Sequence, residues 1–205
     1  MTKLIDYYFS PMSPWTYLGH ERFAALARRH GAAIDVKPVD YGKIFPTSGG
    51  LPLAKRAPQR QKYRLAELKR WREYLGLPLT VEPKYFPYDT ALAARSILAA
   101  KMTSSGASGG EAAAMRLTGA LLRATWVEER DMADPAQLAA VLREQGLDAD
   151  ALLASAGSPQ IDAEYQRLTQ EAIERDVFGA PTYAYGGELF WGQDRLDLLE
   201  RALAR

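Results

Sequence analysis

The first forty residues strongly limit the fold, because they predict a strand, a helix and a second strand in immediate succession. Residues 3–9 are rich in aromatic and aliphatic side chains, as buried strands are. Apolar side chains recur at helical spacing over residues 15–30, and Gly31 is typical of the position just past a helix end. Residues 33–39 alternate between apolar and polar. Such a β-α-β unit predicts two parallel strands joined by a right-handed crossover.

The last 25 or so residues predict a hairpin followed by a helix. Residues 181–185 and 188–191 are aromatic-rich runs on either side of Gly186-Gly187, which is typical of a tight hairpin turn. Leucines at helical spacing then predict a helix over residues 194–204. The two ends together predict one four-stranded sheet with helices on both faces.

The middle of the chain is predicted to be helical. The Pro- and Gly-rich residues 46–58 predict an ordered loop, and the small polar residues 103–110 predict a mobile one. We therefore divide the chain into a discontinuous sheet domain, residues 1–45 and 176–205, and an inserted all-helical subdomain, residues 46–175. The predicted helices cover residues 59–76, 90–102 and 111–129, and three more begin after the N-caps Asp134, Asp148 and Ser158.

The absence of cysteine restricts the chemistry of the chain. Structural disulfides, thiolate metal sites and mechanisms with a protein thiol nucleophile are excluded. The only two histidines, His20 and His30, do not have the spacing of a metal-binding pair on one helical face, so we predict no metal site. Catalysis must use hydroxyls, carboxylates, amides, basic groups or a bound cofactor.

Charge and hydropathy exclude two classes of partner. Lys and Arg number 26 against 25 Asp and Glu, so no overall charge favours nucleic acid or a membrane surface. No apolar run approaches the roughly 18 residues of a membrane span. Residues 1–9 lack the pattern of a signal peptide. We expect a cytoplasmic protein.

The break between the first strand and the first helix places Ser13 at a helix N-terminus. Unpaired backbone N–H groups and the positive end of the helix dipole favour an anion there. A serine hydroxyl at this point can donate to a bound thiolate and help to keep it ionised. The alternative is that Ser13 is only the N-cap, a role that its position equally satisfies.

Two segments near the C-terminus also admit two interpretations. If the Ala180-Pro181 bond is cis, the backbone of Ala180 can pair with an extended peptide; otherwise Pro181 is a trans proline that begins an edge strand. Gln193 and Asp194 precede the last helix, where N–H groups can hold a carboxylate and Asp194 can hold an ammonium. The alternative for Asp194 is a plain N-cap.

A run of basic side chains follows the second predicted strand. In a chain of near-zero net charge, this run produces a local positive field. The run is either a solvated helix face or, if it lies near an anion site, a means of holding carboxylates. The run comprises Lys55, Arg56, Arg60, Lys62, Arg64, Lys69, Arg70 and Arg72, with Glu67 opposing it.

Three sequence boxes carry a family resemblance. They are residues 8–19 (YFSPMSPWTYLG), 177–182 (VFGAPT) and 188–196 (ELFWGQDRL). In this order they resemble the 2-hydroxychromene-2-carboxylate isomerases, which are related to kappa-class glutathione transferases within the thioredoxin superfamily; Met12 stands at a place where the family has an aromatic residue. The resemblance implies an α/β fold with a thioredoxin-like four-stranded mixed sheet and an inserted helical subdomain.

The resemblance also implies roles for individual residues. Ser13 matches the family's catalytic serine, and Pro181 matches its cis-proline, with Ala180 contacting the cysteinyl part of glutathione. Gln193 and Asp194 match the pair that binds the γ-glutamyl group. We therefore predict that the Ala180-Pro181 bond is cis and lies beside Ser13.

The implied reaction is a cis–trans isomerisation of 2-hydroxychromene-2-carboxylate, or a similar intermediate of naphthalene-type aromatic degradation, with glutathione as the cofactor. Candidate substrate-pocket residues are Trp15 and Trp191 for the ring, and Lys55 and Lys62 for the carboxylate. The alternatives are a kappa-like glutathione transferase and a redox-inactive thioredoxin-like binding module. A homodimer is expected from the resemblance.

Overall fold

The computed structural model describes residues 3–103 and 109–205, and its centre is one four-stranded sheet. The strand order is β2-β1-β3-β4, with β1 parallel to β2 and the pairs β1/β3 and β3/β4 antiparallel. This confirms the predicted mixed sheet. The strands are β1 (Leu4–Phe9), β2 (Ala33–Pro38), β3 (Thr182–Tyr185) and β4 (Glu188–Trp191).

Nine α-helices lie within those two ranges. The side chains of Asp134, Asp148 and Ser158 each accept a hydrogen bond from a backbone N–H of the first helical turn, which confirms the three predicted N-caps. Short 3-10 turns occupy Leu53–Lys55 and Gln193–Arg195. The helices are α1 (Pro14–Arg29), α2 (Tyr41–Ser48), α3 (Pro58–Leu75), α4 (Ala91–Thr103), α5 (Gly109–Trp126), α6 (Pro135–Glu144), α7 (Ala149–Ala156), α8 (Pro159–Glu174) and α9 (Leu196–Leu203).

Helix α2 was not expected. The loop predicted over residues 46–58 is wrong at its start, because α2 continues through Pro46 to Ser48. Asp40 caps the helix by accepting from the Gly42 N–H. Tyr41 and Ile44 are buried in the core, and we attribute the helix to this burial, which offsets the hydrogen bond that Pro46 cannot donate.

The sheet and the helices share one apolar core. Tyr7 and Phe9 of β1 belong to the same buried cluster as Ile97 of α4 and Leu121 of α5. Helix α2 also crosses the predicted boundary between residues 45 and 46, so the division into two subdomains stays a prediction.

A second, smaller cluster lies between α1, α3 and α5. Its buried members are Leu18, Leu68, Leu79, Leu122 and Trp126. The indole of Trp15 packs against this cluster and is partly buried.

Two points concern the remaining described chain. Residues 104–108, part of the predicted polar loop over 103–110, lie outside the described residues, whereas Thr103 ends α4 and Gly109 begins α5. Within the described ranges, no helix combines the length and the apolar character that crossing a membrane requires.

Candidate active site

Ser13 lies where the chain leaves the sheet and enters α1. Its backbone is extended (φ −77°, ψ 124°), and its Oγ accepts a hydrogen bond of 3.2 Å from the Thr16 N–H. The backbone N–H of Ser13 donates to the Ser10 carbonyl at 3.0 Å, which holds the turn. The first turn of α1 contains no acidic side chain to oppose the positive end of the dipole. Ser13 is therefore an N-cap, and it also occupies a site that favours an anion.

The cis-proline segment lies beside Ser13. The Ala180-Pro181 bond is cis, and the hydroxyl of Ser13 donates to the Ala180 carbonyl at 3.5 Å. Both parts of the sequence prediction are confirmed. The sheet explains the contact, because antiparallel pairing of Tyr8 with Thr182 places the end of β1 next to the start of β3.

Hydrogen bonds hold the segment before β3 in place. The hydroxyls of Tyr41 and Thr182 both donate to the Gly179 carbonyl, at 2.8 and 2.6 Å. The Gly192 N–H donates to the Pro181 carbonyl at 2.8 Å. By contrast, the Ala180 N–H donates no backbone hydrogen bond within residues 3–103 and 109–205. Hydrogen bonds therefore fix the carbonyls on both sides of Ala180, and the Ala180 N–H stays available as a donor.

Trp191 packs against this segment. Its indole is half exposed and meets the Phe178 ring edge to face, with 4.7 Å between the ring centroids. A Cβ on Gly179 would fall 2.1 Å from the Trp191 Nε1, so this position accepts only glycine while the indole stays where it is. Trp191 thus borders the cis-proline segment, as its predicted pocket role requires.

Gln193 and Asp194 differ in accessibility. Gln193 is only 2% exposed, and its Oε1 accepts a 2.6 Å hydrogen bond from Arg22, which also donates to its backbone carbonyl at 3.3 Å. The carboxylate of Asp194 is 42% exposed and pairs with Arg195 at 2.7 Å. The side chain open to a ligand is therefore Asp194. Sequence reasoning missed Arg22, since nothing near it in the chain indicates a contact with Gln193.

The predicted carboxylate partners are two solvent-exposed lysines. Lys55 lies in the 3-10 turn before α3 and Lys62 lies on α3, and both are exposed. Neither makes a side-chain ion pair within the part of the chain that the structure describes. No group of three His, Asp or Glu side chains is placed to hold a metal ion there either.

A charged network joins β1, β2 and α8. Lys37 Nζ pairs with Asp6 at 2.9 Å and with Glu171 at 2.6 Å, and the Tyr8 hydroxyl also donates to Glu171. Burial by itself would raise the pKa of Glu171, but the hydrogen bonds from Lys37 and Tyr8 outweigh it and lower the pKa to about 2. Glu171 is therefore ionised at neutral pH and connects α8 to the sheet.

The sheet order, the cis-proline and a helix N-terminus beside it define the class of DSBA-like thioredoxin domains, and the sequence model of that family matches residues 4–204. A 2-hydroxychromene-2-carboxylate isomerase of Sphingobium xenophagum is 34% identical over 204 residues, which cover 99% of each chain. The chain belongs to the 2-hydroxychromene-2-carboxylate isomerase family, as the three boxes indicated.

Two further comparisons agree with this placement. A solved structure of a 2-hydroxychromene-2-carboxylate isomerase matches with a TM-score of 0.81 and 29% identity, covering 98% of this chain and 95% of the other. Glutathione S-transferase kappa 1 of Caenorhabditis elegans is 33% identical over a shorter stretch of 91 residues, 43% of this chain and 40% of that protein. The isomerases are thus similar over the whole length, whereas this transferase is similar over part of it.

Proposed function

We propose that this chain catalyses the glutathione-dependent cis–trans isomerisation of 2-hydroxychromene-2-carboxylate or of a similar aromatic-degradation intermediate. The observation that carries the proposal is the contact between the Ser13 hydroxyl, at the start of α1, and the carbonyl before the cis-proline Pro181. The chain that makes this contact is similar over its full length to an enzyme named for this reaction.

The residues of the site fit glutathione. The Ala180 N–H has no backbone acceptor within the described ranges and is available to a peptide carbonyl. The exposed carboxylate of Asp194 suits the ammonium of a γ-glutamyl group. The N-terminus of α1 suits an ionised sulfur. These three groups are the complementary partners of a peptide, an ammonium and a thiolate.

Ser13 would supply the activating hydrogen bond. When bound, glutathione supplies a sulfur nucleophile for reversible addition to the conjugated substrate. The Ser13 hydroxyl donates across 3.5 Å, at the edge of hydrogen-bonding distance. Turning the hydroxyl towards a better acceptor therefore loses only a weak hydrogen bond. Its lone pair stays with the Thr16 N–H, which keeps the oxygen at the start of α1. The hydroxyl and the helix dipole both favour the ionised form of a bound thiol.

Two other functions differ from this one in measurable ways. A kappa-like transferase would consume glutathione in forming a product, and a redox-inactive binding module would turn over no substrate. A dithiol oxidoreductase is excluded because the chain has no cysteine.

The test follows substrate and free thiol together in one reaction. An isomerase should require glutathione and leave its concentration unchanged after many turnovers. Stoichiometric loss of thiol would indicate a transferase, and calorimetry without a binding signal for glutathione would favour the binding module. Sedimentation of the same preparation tests the expected homodimer.

A further inference from the structure

Arg64, on α3, lines a cavity whose wall combines apolar residues with the polar side chains of Gln61 and Glu82. The cavity has a volume of about 200 Å³, and Leu53, Leu65, Val81 and Phe86 form much of its wall. The guanidinium carbon of Arg64 lies over the Phe86 ring, 5.0 Å from its centroid, and 6.0 Å from the centroid of the Trp126 ring. Two aromatic faces thus support the cation on an apolar surface.

Two buried donors in this cluster have no partner. Arg64 Nη2 and Trp126 Nε1 are both shielded from solvent and make no hydrogen bond in the described part of the chain. Because guanidinium and indole N–H groups only donate, these two groups cannot satisfy each other, and neither atom is hydrogen-bonded to the Gln61 amide or the Glu82 carboxylate of the cavity wall. A guanidinium N–H that is shielded from water and has no acceptor is unfavourable. Arg64 Nη2 is therefore open to an acceptor that a ligand supplies.

The cation persists at neutral pH. Burial and the nearby charge of Arg56 lower the pKa of Arg64 to about 10 against an opposing effect of Glu82, and the side chain is still protonated near pH 7. Glu82 also lines the cavity and makes no ion pair with Arg64 within residues 3–103 and 109–205. Its charge disfavours ligands that carry several negative charges.

Neighbouring residues link the cavity to the Ser13 segment. Phe86 and Pro87, in its wall, precede Tyr88, whose hydroxyl donates to the Pro11 carbonyl at 3.3 Å. Trp15, two residues after Ser13, packs in the same cluster as Phe86 and Trp126. One continuous set of contacts therefore connects the cavity to the turn that precedes α1.

We propose that Arg64 binds the carboxylate of the aromatic substrate while the apolar wall of the cavity contacts its ring. This inference rests on the proposed function. Arg64, rather than the exposed Lys55 or Lys62, is then the principal partner of the substrate carboxylate. A carboxylate of glutathione has the same charge chemistry, but Leu65, Val81 and Phe86 in the wall suit a flat aromatic body better than a polar peptide.

The experiment measures binding of cinnamate and of its neutral isostere cinnamamide by calorimetry, without glutathione. We expect the parent to prefer cinnamate. Arg64→Leu should raise the Kd of cinnamate about tenfold or more, as loss of a charge-assisted contact does, and change that of cinnamamide by less than about twofold. The matched control Arg60→Leu removes an exposed arginine from the same helix and should leave both constants within about twofold. Equal affinity of the parent for the two probes, or unchanged cinnamate binding in Arg64→Leu, would overturn the proposal.

A second variant and a glutathione-binding measurement complete the test. If a thermal melt shows that Arg64→Leu does not fold, Arg64→Lys, which keeps the charge but loses the planar fork, should weaken cinnamate binding by about threefold or more; unchanged binding would count against the proposal. If Arg64→Leu weakens glutathione binding instead of cinnamate binding, the anion is a glutathione carboxylate and the proposal is wrong. Arg64-dependent cinnamate binding in a protein without isomerase activity would refute the proposed function and leave the carboxylate site standing.

Discussion

The hydroxyl oxygen of Ser13 lies 3.5 Å from the carbonyl oxygen of Ala180, although 167 positions separate them in the chain. The sheet creates this proximity, because β1 ends and β3 begins at the same edge. A peptide that pairs with the backbone of Ala180 would therefore have its side chain next to the start of α1. This relationship places the two segments side by side and yields the first prediction.

Ser13→Ala should separate activation from folding. Loss of the cap should lower the free energy of unfolding by about 1 kcal/mol and leave glutathione affinity nearly unchanged. The pKa of the bound thiol should rise, with each unit representing about 1.4 kcal/mol of lost thiolate stabilisation. Turnover near neutral pH should fall and recover partly at higher pH. Ultraviolet absorbance of the thiolate against pH measures the change.

Ser158→Ala is the matched control for that experiment. Ser158 also precedes a proline and caps its helix, accepting from the Ile161 N–H at 3.3 Å. Its loss should reduce stability by a similar amount without changing turnover or the thiol pKa. If Ser13→Ala behaves like Ser158→Ala in every assay, Ser13 is only a helix cap.

Asp194→Asn should weaken glutathione binding. The exposed carboxylate is the proposed partner of the γ-glutamyl ammonium, and its loss should reduce the binding free energy by about 1–3 kcal/mol. Stability should hardly change, since its pair with Arg195 is a surface ion pair. Calorimetry measures the Kd. Asp197→Asn, which removes a nearby exposed carboxylate in the first turn of α9, is the control; equal effects of the two changes would mean that Asp194 makes no specific contact.

Arg22→Gln should lower stability and loosen the start of the last helical segment. Arg22 donates to both the side chain and the backbone of the buried Gln193, so its removal leaves buried acceptors unpaired, at a cost of about 1–3 kcal/mol. Arg29, also on α1, pairs with Glu200 at 2.8 Å, but this pair is exposed. Arg29→Gln should therefore change stability by less than about 1 kcal/mol. Urea unfolding measures both free energies, and similar losses would mean that the contact of Arg22 with Gln193 contributes no more than a surface ion pair.

Stability should fall in acid partly through Glu171. Hydrogen bonds lower its folded pKa to about 2, below the ordinary value of 4.5. A depressed folded pKa means that this contribution is complete above about pH 4.5 and is lost as the pH falls towards 2. Glu171→Gln should lower stability at pH 7 and make its decline over that range shallower. Urea unfolding at a series of pH values tests this, with Glu174→Gln, an exposed change in the same helix, as the control.

Local patterns predicted most of the elements but not α2. Strand alternation, helical spacing and the caps Asp134, Asp148 and Ser158 involve residues close together in sequence, so they can be identified without tertiary contacts. Pro46 indicated a loop by the same local logic. Burial of Tyr41 and Ile44 determined the outcome instead, and that burial depends on the whole core.

The sequence by itself determined that the chain has no thiol chemistry of its own, since folding cannot supply a missing cysteine. Its three boxes also identified Ser13, Pro181 and Asp194 as the candidate site. Only the tertiary structure decided that the amide oxygen of Gln193 is already bound by Arg22, and that Arg64 has a guanidinium nitrogen shielded from solvent whereas Lys55 and Lys62 are exposed. The burial of a side chain and its hydrogen bonds depend on segments far apart in the chain, so a local sequence pattern cannot predict them.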